Sequence, residues 1–179
     1  KPKMLKIPSA CNTDHEMLEY LLDNYDGDIH ISLGMTTQVE EDELIDLLER
    51  KGALPRTVLY SCTSGYPVPF EQIYLHEMPR LHDKYGHRAK AIGFSGHHLG
   101  IAADIAALAL GAEYVERHFT LDRTWKGTDH AASLEPAGMR KLIRDLRNVH
   151  KALGAKIDEI SEIEAPQRKK LKRIKKKQG

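Results

Sequence analysis

Cysteine, tryptophan and long apolar runs are all scarce in this sequence. Its two cysteines, Cys11 and Cys62, are too few for a disulfide framework, and a reducing cytoplasm is the expected setting. No apolar stretch approaches the roughly 20 residues that a bilayer-crossing helix needs, so no membrane partner is expected. The opening residues KPKMLKIPSACN hold no apolar core of the kind a secretory signal requires. No G-x-G-x-x-G follows the first predicted strand, which removes support for a dinucleotide-binding sheet. An excess of one charge is lacking too, since 27 basic and 26 acidic residues leave a net charge of +1.

That balance hides an asymmetry. The block RKKLKRIKKK at 168–177 is almost wholly basic, and the chain before it is mildly acidic. Like-charge blocks are usually solvated and unstructured, so 156–179 reads as a linker and a basic, disordered tail. No aromatic interleaves these lysines, so nucleic acid is not an expected partner.

The remaining residues, within a chain of 179, suffice for one domain with a core. Their periodicity alternates. MLKIPS (4–9), DIHISLG (28–34), TVLYSCTS (57–64), AKAIGFSG (89–96) and YVERHFTL (114–121) read as strands. Helices are predicted between them: one starting at a Thr13–Glu16 capping box, one over 39–52, one around Met78–Tyr85, and one over 100–111 rich enough in Ala and Leu to be largely buried. A last helix carries Met139, Leu142, Ile143, Leu146, Val149 and Leu153. Strand–helix alternation at this spacing predicts an α/β fold of parallel strands and crossover helices, either an open doubly wound sheet or a (β/α) barrel.

In such folds ligands bind at the C-terminal strand ends. Those ends carry Lys6 and Ser9, Ser32, Thr63 and Ser64, Ser95 and His97, and His118. A lysine with several small hydroxyls suits a phosphate, which wants short hydrogen bonds and positive charge. Serine and threonine are also ordinary turn residues, so both readings stand at this point. His97 and His118 are one β/α unit apart, on neighbouring strand ends. That spacing allows them to share a metal ion and equally allows structural roles. His98 would point away from its neighbour, and His15, His30, His76, His82, His87 and His150 read as structural or solvated, with His130 left open between a substrate contact and a brace for its loop.

The stretch GFSGHHLGIAADIAALALGAEYVERHFTLDRTWKGTDHAASLEPAGM (93–139) resembles the sialic acid synthase family. CTSGYPVPFE (62–71) is similar to that family's CTS-x-YP loop, and KIPS (6–9) to its KIGS strand end. The resemblance covers roughly 4–155 and looks most like the branch making N-acetylneuraminate 9-phosphate. It implies that residues 1–155 are about the second half of a (β/α)8 TIM barrel, the first three strands and an antifreeze-like domain being absent. It implies condensation of phosphoenolpyruvate with an N-acylmannosamine or its 6-phosphate. It makes His97 and His118 ligands of Mn2+ or Mg2+, and Lys6, Ser9, Ser32, Ser64 and Ser95 phosphoenolpyruvate contacts. Tyr66 and Asp129 would face the sugar, with Trp125 and Lys126 in the neighbouring TWKG segment. Cys11 stands where the family usually has an acid. A half-barrel would self-associate or meet a complementary half. Two further readings are a non-catalytic half-barrel assembly module and another phosphoenolpyruvate-dependent 3-deoxy sugar acid synthase.

Overall fold

A computed structural model describes residues 2–173. The strands β1 (Met4–Ile7), β2 (Asp28–Ser32), β3 (Thr57–Cys62), β4 (Ala91–Gly96) and β5 (Tyr114–Arg117) form one parallel sheet in sequence order. Helices α1 (His15–Asn24), α2 (Gln38–Arg50), α3 (Glu77–Tyr85) and α4 (Ala102–Ala109) occupy the four crossovers. Helices α5 (Pro136–Ala152) and α6 (Glu164–Leu171) follow β5. The strand order never reverses, as it would in a doubly wound sheet, so the architecture is the expected half-barrel.

The pleat sorts the residues. Ile29, Ile31, Leu59, Ile92 and Phe94 join Leu18, Leu44, Leu48, Met78 and Leu81 of the helices in one core. The alternate residues line the concave face. The register stacks them in rows: Lys6 beside His30, then Ser32 beside Tyr60 and Gly93, then Cys62 beside Ser95 and Glu116. Val58, Tyr60 and Ala91 form a small apolar floor beneath the rows. Gly93 makes room for that floor, since a Cβ there would stand 2.6 Å from the Tyr60 ring.

Several expectations need correction. The first helix is capped by Asp14, whose side chain accepts from the Met17 N–H, and Thr13 plays no such part. The complete capping box belongs instead to α2, between Thr37 and Glu40. Helix α4 is shorter than 100–111 and buries only Ala103, Asp104 and Ala107, because one helix face meets the sheet and the others do not. Strand β5 ends at Arg117 and is an edge strand, more exposed than the inner ones although the Arg117 side chain is withdrawn from solvent. The tail expected to be unstructured contains α6, an exposed helix over Glu164–Leu171. Residues 174–177 of the basic block lie outside the described residues.

Candidate functional site

A cleft of about 580 Å³ opens over the C-terminal ends of the strands. Lys6, Ser9, Ser32, Ser64, Tyr66, Ser95, His97, His118 and Asp129 all line it. Nine of the residues singled out from the sequence therefore meet in one place, while Thr63 and Trp125 stand outside the cleft wall. Lys126 stands outside it too, on the exposed loop after β5.

The β1 end sets one side. After Ile7 the chain turns through a 3-10 segment, Ser9–Cys11, which brings Ser9 over the sheet. Buried Asn12 anchors this turn by donating to the Ser32 carbonyl at 2.9 Å and to the Thr36 hydroxyl at 2.6 Å. Ser9 Oγ accepts from the Gly34 N–H at 3.1 Å and donates toward Cys62 Sγ at 3.6 Å. Gly34 lets these side chains close in. A Cβ would lie 2.5 Å from Ser64 Oγ, 2.7 Å from Ser9 Oγ and 3.1 Å from Cys62 Sγ. Cys11 packs against the helix-side core and does not reach the cleft.

Above the apolar floor lies a charged layer. Lys6 Nζ donates to Ser32 Oγ at 2.6 Å, lies 5.3 Å from the centre of the Tyr60 ring, and sits 3.6 Å from Glu116 Oε2. Burial holds the Lys6 amine below its ordinary value, and the Glu116 charge works against that shift. Ser95 Oγ donates to the other Glu116 oxygen at 2.8 Å. Below them, His30 Nδ1 meets the Tyr60 hydroxyl at 2.7 Å.

The opposite side holds the histidines. The His97 and His118 rings are 5.2 Å apart, and Tyr66 packs edge-on against both, at 4.7 and 5.7 Å. His97 Nδ1 lies 2.9 Å from the Thr63 carbonyl. That contact needs an N–H at Nδ1, which leaves Nε2 as the free lone pair, the arrangement ligating histidines commonly have. Burial lowers the value of His118, with the His97 charge adding to it, so the ring is neutral near neutral pH and able to ligate. His97 is shifted the other way: burial opposes its charge, but the Cys62 thiol and the Thr63 carbonyl prevail. Cys62 is correspondingly lowered, burial being outweighed by His97 and Ser9. Asp129 approaches His118 Nδ1 at 3.9 Å. The donor chemistry suits a divalent cation at two imidazoles, although among the described residues no group of three ligating side chains is assembled.

Glu116 and Cys62 were missed from the sequence. Strand alternation could have found both: Glu116 shares the face of His118 two residues on, and Cys62 continues the inward series from Val58 and Tyr60. The loop after β5 is braced internally. Trp125 packs edge-on to His130 at 5.7 Å, and His130 Nδ1 meets Thr120 Oγ1 at 2.8 Å.

Comparison with known proteins places this cleft in context. Residues 1–158 match the model of the NeuB family. The chain is similar to the N,N'-diacetyllegionaminic acid synthase of Campylobacter jejuni, 37% identical over 90% of this chain and 48% of that protein. It is also similar to the human N-acetylneuraminate-9-phosphate synthase, 41% identical over 70% of this chain and 34% of that one. Among solved structures it resembles the N-acetylneuraminic acid synthetase from Leptospira borgpetersenii, crystallised with citrate. That likeness has a TM-score of 0.81 and 30% identity, over 94% of this chain and 58% of the other. The chain spans about half the length, or less, of the curated relatives it matches.

Proposed function

This chain belongs to the NeuB family, and on that premise we propose that it forms the second half of a barrel that condenses phosphoenolpyruvate with an N-acylmannosamine-type aldehyde to give a sialic-acid-type sugar and phosphate. The observation that carries this reading is the convergence of Lys6, Ser9, Ser32, Ser64 and Ser95 with His97 and His118 on one cleft. The first set suits the enol phosphate, and Lys6 supplies positive charge within the cleft. The imidazole side suits the acceptor. A divalent ion, Mn2+ or Mg2+, held by His97 and His118 would act as a Lewis acid toward the acceptor's carbonyl oxygen.

In this reaction the enol C3 forms a bond to the aldehyde carbon, water adds at C2, and the tetrahedral intermediate expels inorganic phosphate. The residues of the cleft hold the two substrates in register. Such positioning alone lowers a bimolecular barrier by several kcal/mol, about 7–11 in favourable cases. Tyr66 and Asp129 stand on the acceptor side. The curated relatives act on different sugars by their names, and the acceptor proposed here is N-acetylmannosamine or its 6-phosphate, on the strength of the TWKG segment. A cytoplasmic setting goes with that reading.

A second reading is an assembly module without turnover. The placement of Cys11 in the core favours it, since no carboxylate reaches the cleft from that turn. Under both readings the open edges at β1 and β5 meet a complementary half-barrel or a second copy. Two measurements separate them. Mn2+ affinity of the purified chain, compared with His97→Ala/His118→Ala, tests the imidazole site; an unchanged affinity removes it. Phosphate release from phosphoenolpyruvate and N-acetylmannosamine or its 6-phosphate, with the preceding barrel half supplied, tests the reaction; phosphoenolpyruvate binding with no turnover supports the module.

A further inference from the structure

Behind the cleft, on the helix side of the sheet, lies a second cluster that the reaction does not use. His98, Asp104 and Arg117 are almost completely withdrawn from solvent, their side chains 0%, 0% and 1% exposed. Arg117 sits between Glu116 and His118 in sequence, and the strand pleat sends it to the opposite face. Its guanidinium donates to Asp104 Oδ2 at 2.6 Å, to the His98 carbonyl at 2.6 Å, to the Gly100 carbonyl at 2.8 Å and to the Ala132 carbonyl at 3.3 Å. One side chain therefore ties three segments together: the loop between β4 and α4, helix α4 itself, and the loop after β5. Asp104 Oδ2 also lies 3.3 Å from His98 Nε2.

Such a pair is a poor stabiliser. Desolvating two charges consumes most of what their attraction returns, and apolar residues of similar size commonly do as well. Here the satisfaction is also incomplete: Asp104 Oδ1, His98 Nδ1 and Arg117 Nε have no hydrogen-bond partner among the described residues. What the cluster does supply is geometry. The carbonyl it grips belongs to the residue after His97, and the residue that grips it precedes His118. The second loop contact, Ala132, lies two residues before Leu134, whose N–H donates to the His118 carbonyl at 2.8 Å.

We propose that the Asp104–Arg117 pair is a positioning device that sets the separation and orientation of His97 and His118 from behind the sheet. This rests on the reading of those imidazoles as a cation site for its purpose, but not for its geometry. The pair acts through the backbone on either side of it: Arg117 contributes to the cleft wall, but its guanidinium is turned to Asp104 and away from solvent.

The test is Asp104→Leu/Arg117→Met, an apolar replacement of similar volume, with Arg117→Lys as the variant that keeps charge but loses the fork. Each is followed by urea unfolding, by Mn2+ titration, and by the NMR shifts of the His97 and His118 rings, which Tyr66 perturbs through its ring current. Expected are a unfolding midpoint kept or raised in the double variant, moved imidazole shifts, and Mn2+ affinity about ten- to a hundredfold weaker. Unchanged shifts and affinity in a folded double variant overturn the proposal. If the double variant does not fold, the same unchanged readings in Arg117→Lys overturn it. Failure of the cation reading is distinct: Mn2+ affinity insensitive to His97→Ala/His118→Ala removes the ion, and the imidazole shifts still decide the positioning role.

Discussion

Lys6 and Glu116 stand on the two opposite edge strands of the sheet, yet their charged atoms are 3.6 Å apart. Three strands separate them. A flat sheet would hold them roughly 19 Å apart at its usual strand spacing. Barrel curvature folds the concave face inward until the long lysine side chain, rising from a lower row, reaches the carboxylate.

Glu116→Gln tests this contact. The Lys6 amine is held below its ordinary 10.5 by burial, and Glu116 is the leading influence in the other direction. Removing that charge lowers the amine further, which NMR of the 13C-methylated lysine reads directly. The linkage has a definite sign. Lys6 titrates lower in the folded chain than in the unfolded one, so between those values the unfolded chain holds more protons and stability rises with pH. Glu116→Gln widens that window, and its stability relative to wild type therefore improves as pH climbs toward 10.5. An unshifted Lys6 resonance would show that the pair is not formed.

Gly34→Ala probes the crowding at the phosphate side. The added methyl meets Ser64, Ser9 and Cys62 together. Overpacking of this kind costs about 1–3 kcal/mol, and here two of the groups forced aside, Ser9 and Ser64, are among those proposed to hold phosphoenolpyruvate. Urea unfolding and calorimetric titration with phosphoenolpyruvate should both report weakening. Wild-type values in both would mean that the three side chains are free to move and are not a built cradle.

Most of the fold was legible because each strand–helix unit carries its own period, and because a parallel sheet repeats one design. The strand ends were legible for the same reason: Ser32, Ser95, His97 and His118 all project into the cleft from the C-terminal ends of their strands. What escaped was whatever depends on the closing of the sheet. Glu116 looks like an edge-strand surface residue until curvature brings Lys6 to it. Burial on α4 escaped too, since Ala and Leu composition does not say how many faces have a neighbour. At the helix start, Thr13 and Asp14 both had the right chemistry, and only the backbone path chose between them.

That choice can be measured. Thr37 closes a reciprocal capping box on α2, its hydroxyl accepting from the Glu40 N–H at 3.3 Å while Glu40 bonds back to the Thr37 N–H at 2.8 Å. Thr37→Ala should cost about 0.5–2 kcal/mol in urea unfolding. Thr13→Ala should cost little, because Asp14 holds that cap. Equal losses at the two sites would contradict the assignment.

The apolar floor offers the last test, because it separates two jobs of one residue. The Tyr60 hydroxyl bonds the buried His30 ring at 2.7 Å, while the Tyr60 ring lies under the Lys6 amine. Tyr60→Phe keeps the ring and strands a buried imidazole nitrogen, an omission worth about 1–3 kcal/mol. It should lower stability and leave the Lys6 resonance nearly in place. Tyr60→Leu removes the ring as well, so the Lys6 amine loses the aromatic face beneath it and its resonance should move. If Tyr60→Phe shifts Lys6 as far as Tyr60→Leu does, then the hydroxyl and not the ring governs the lysine, and the floor acts through His30 instead.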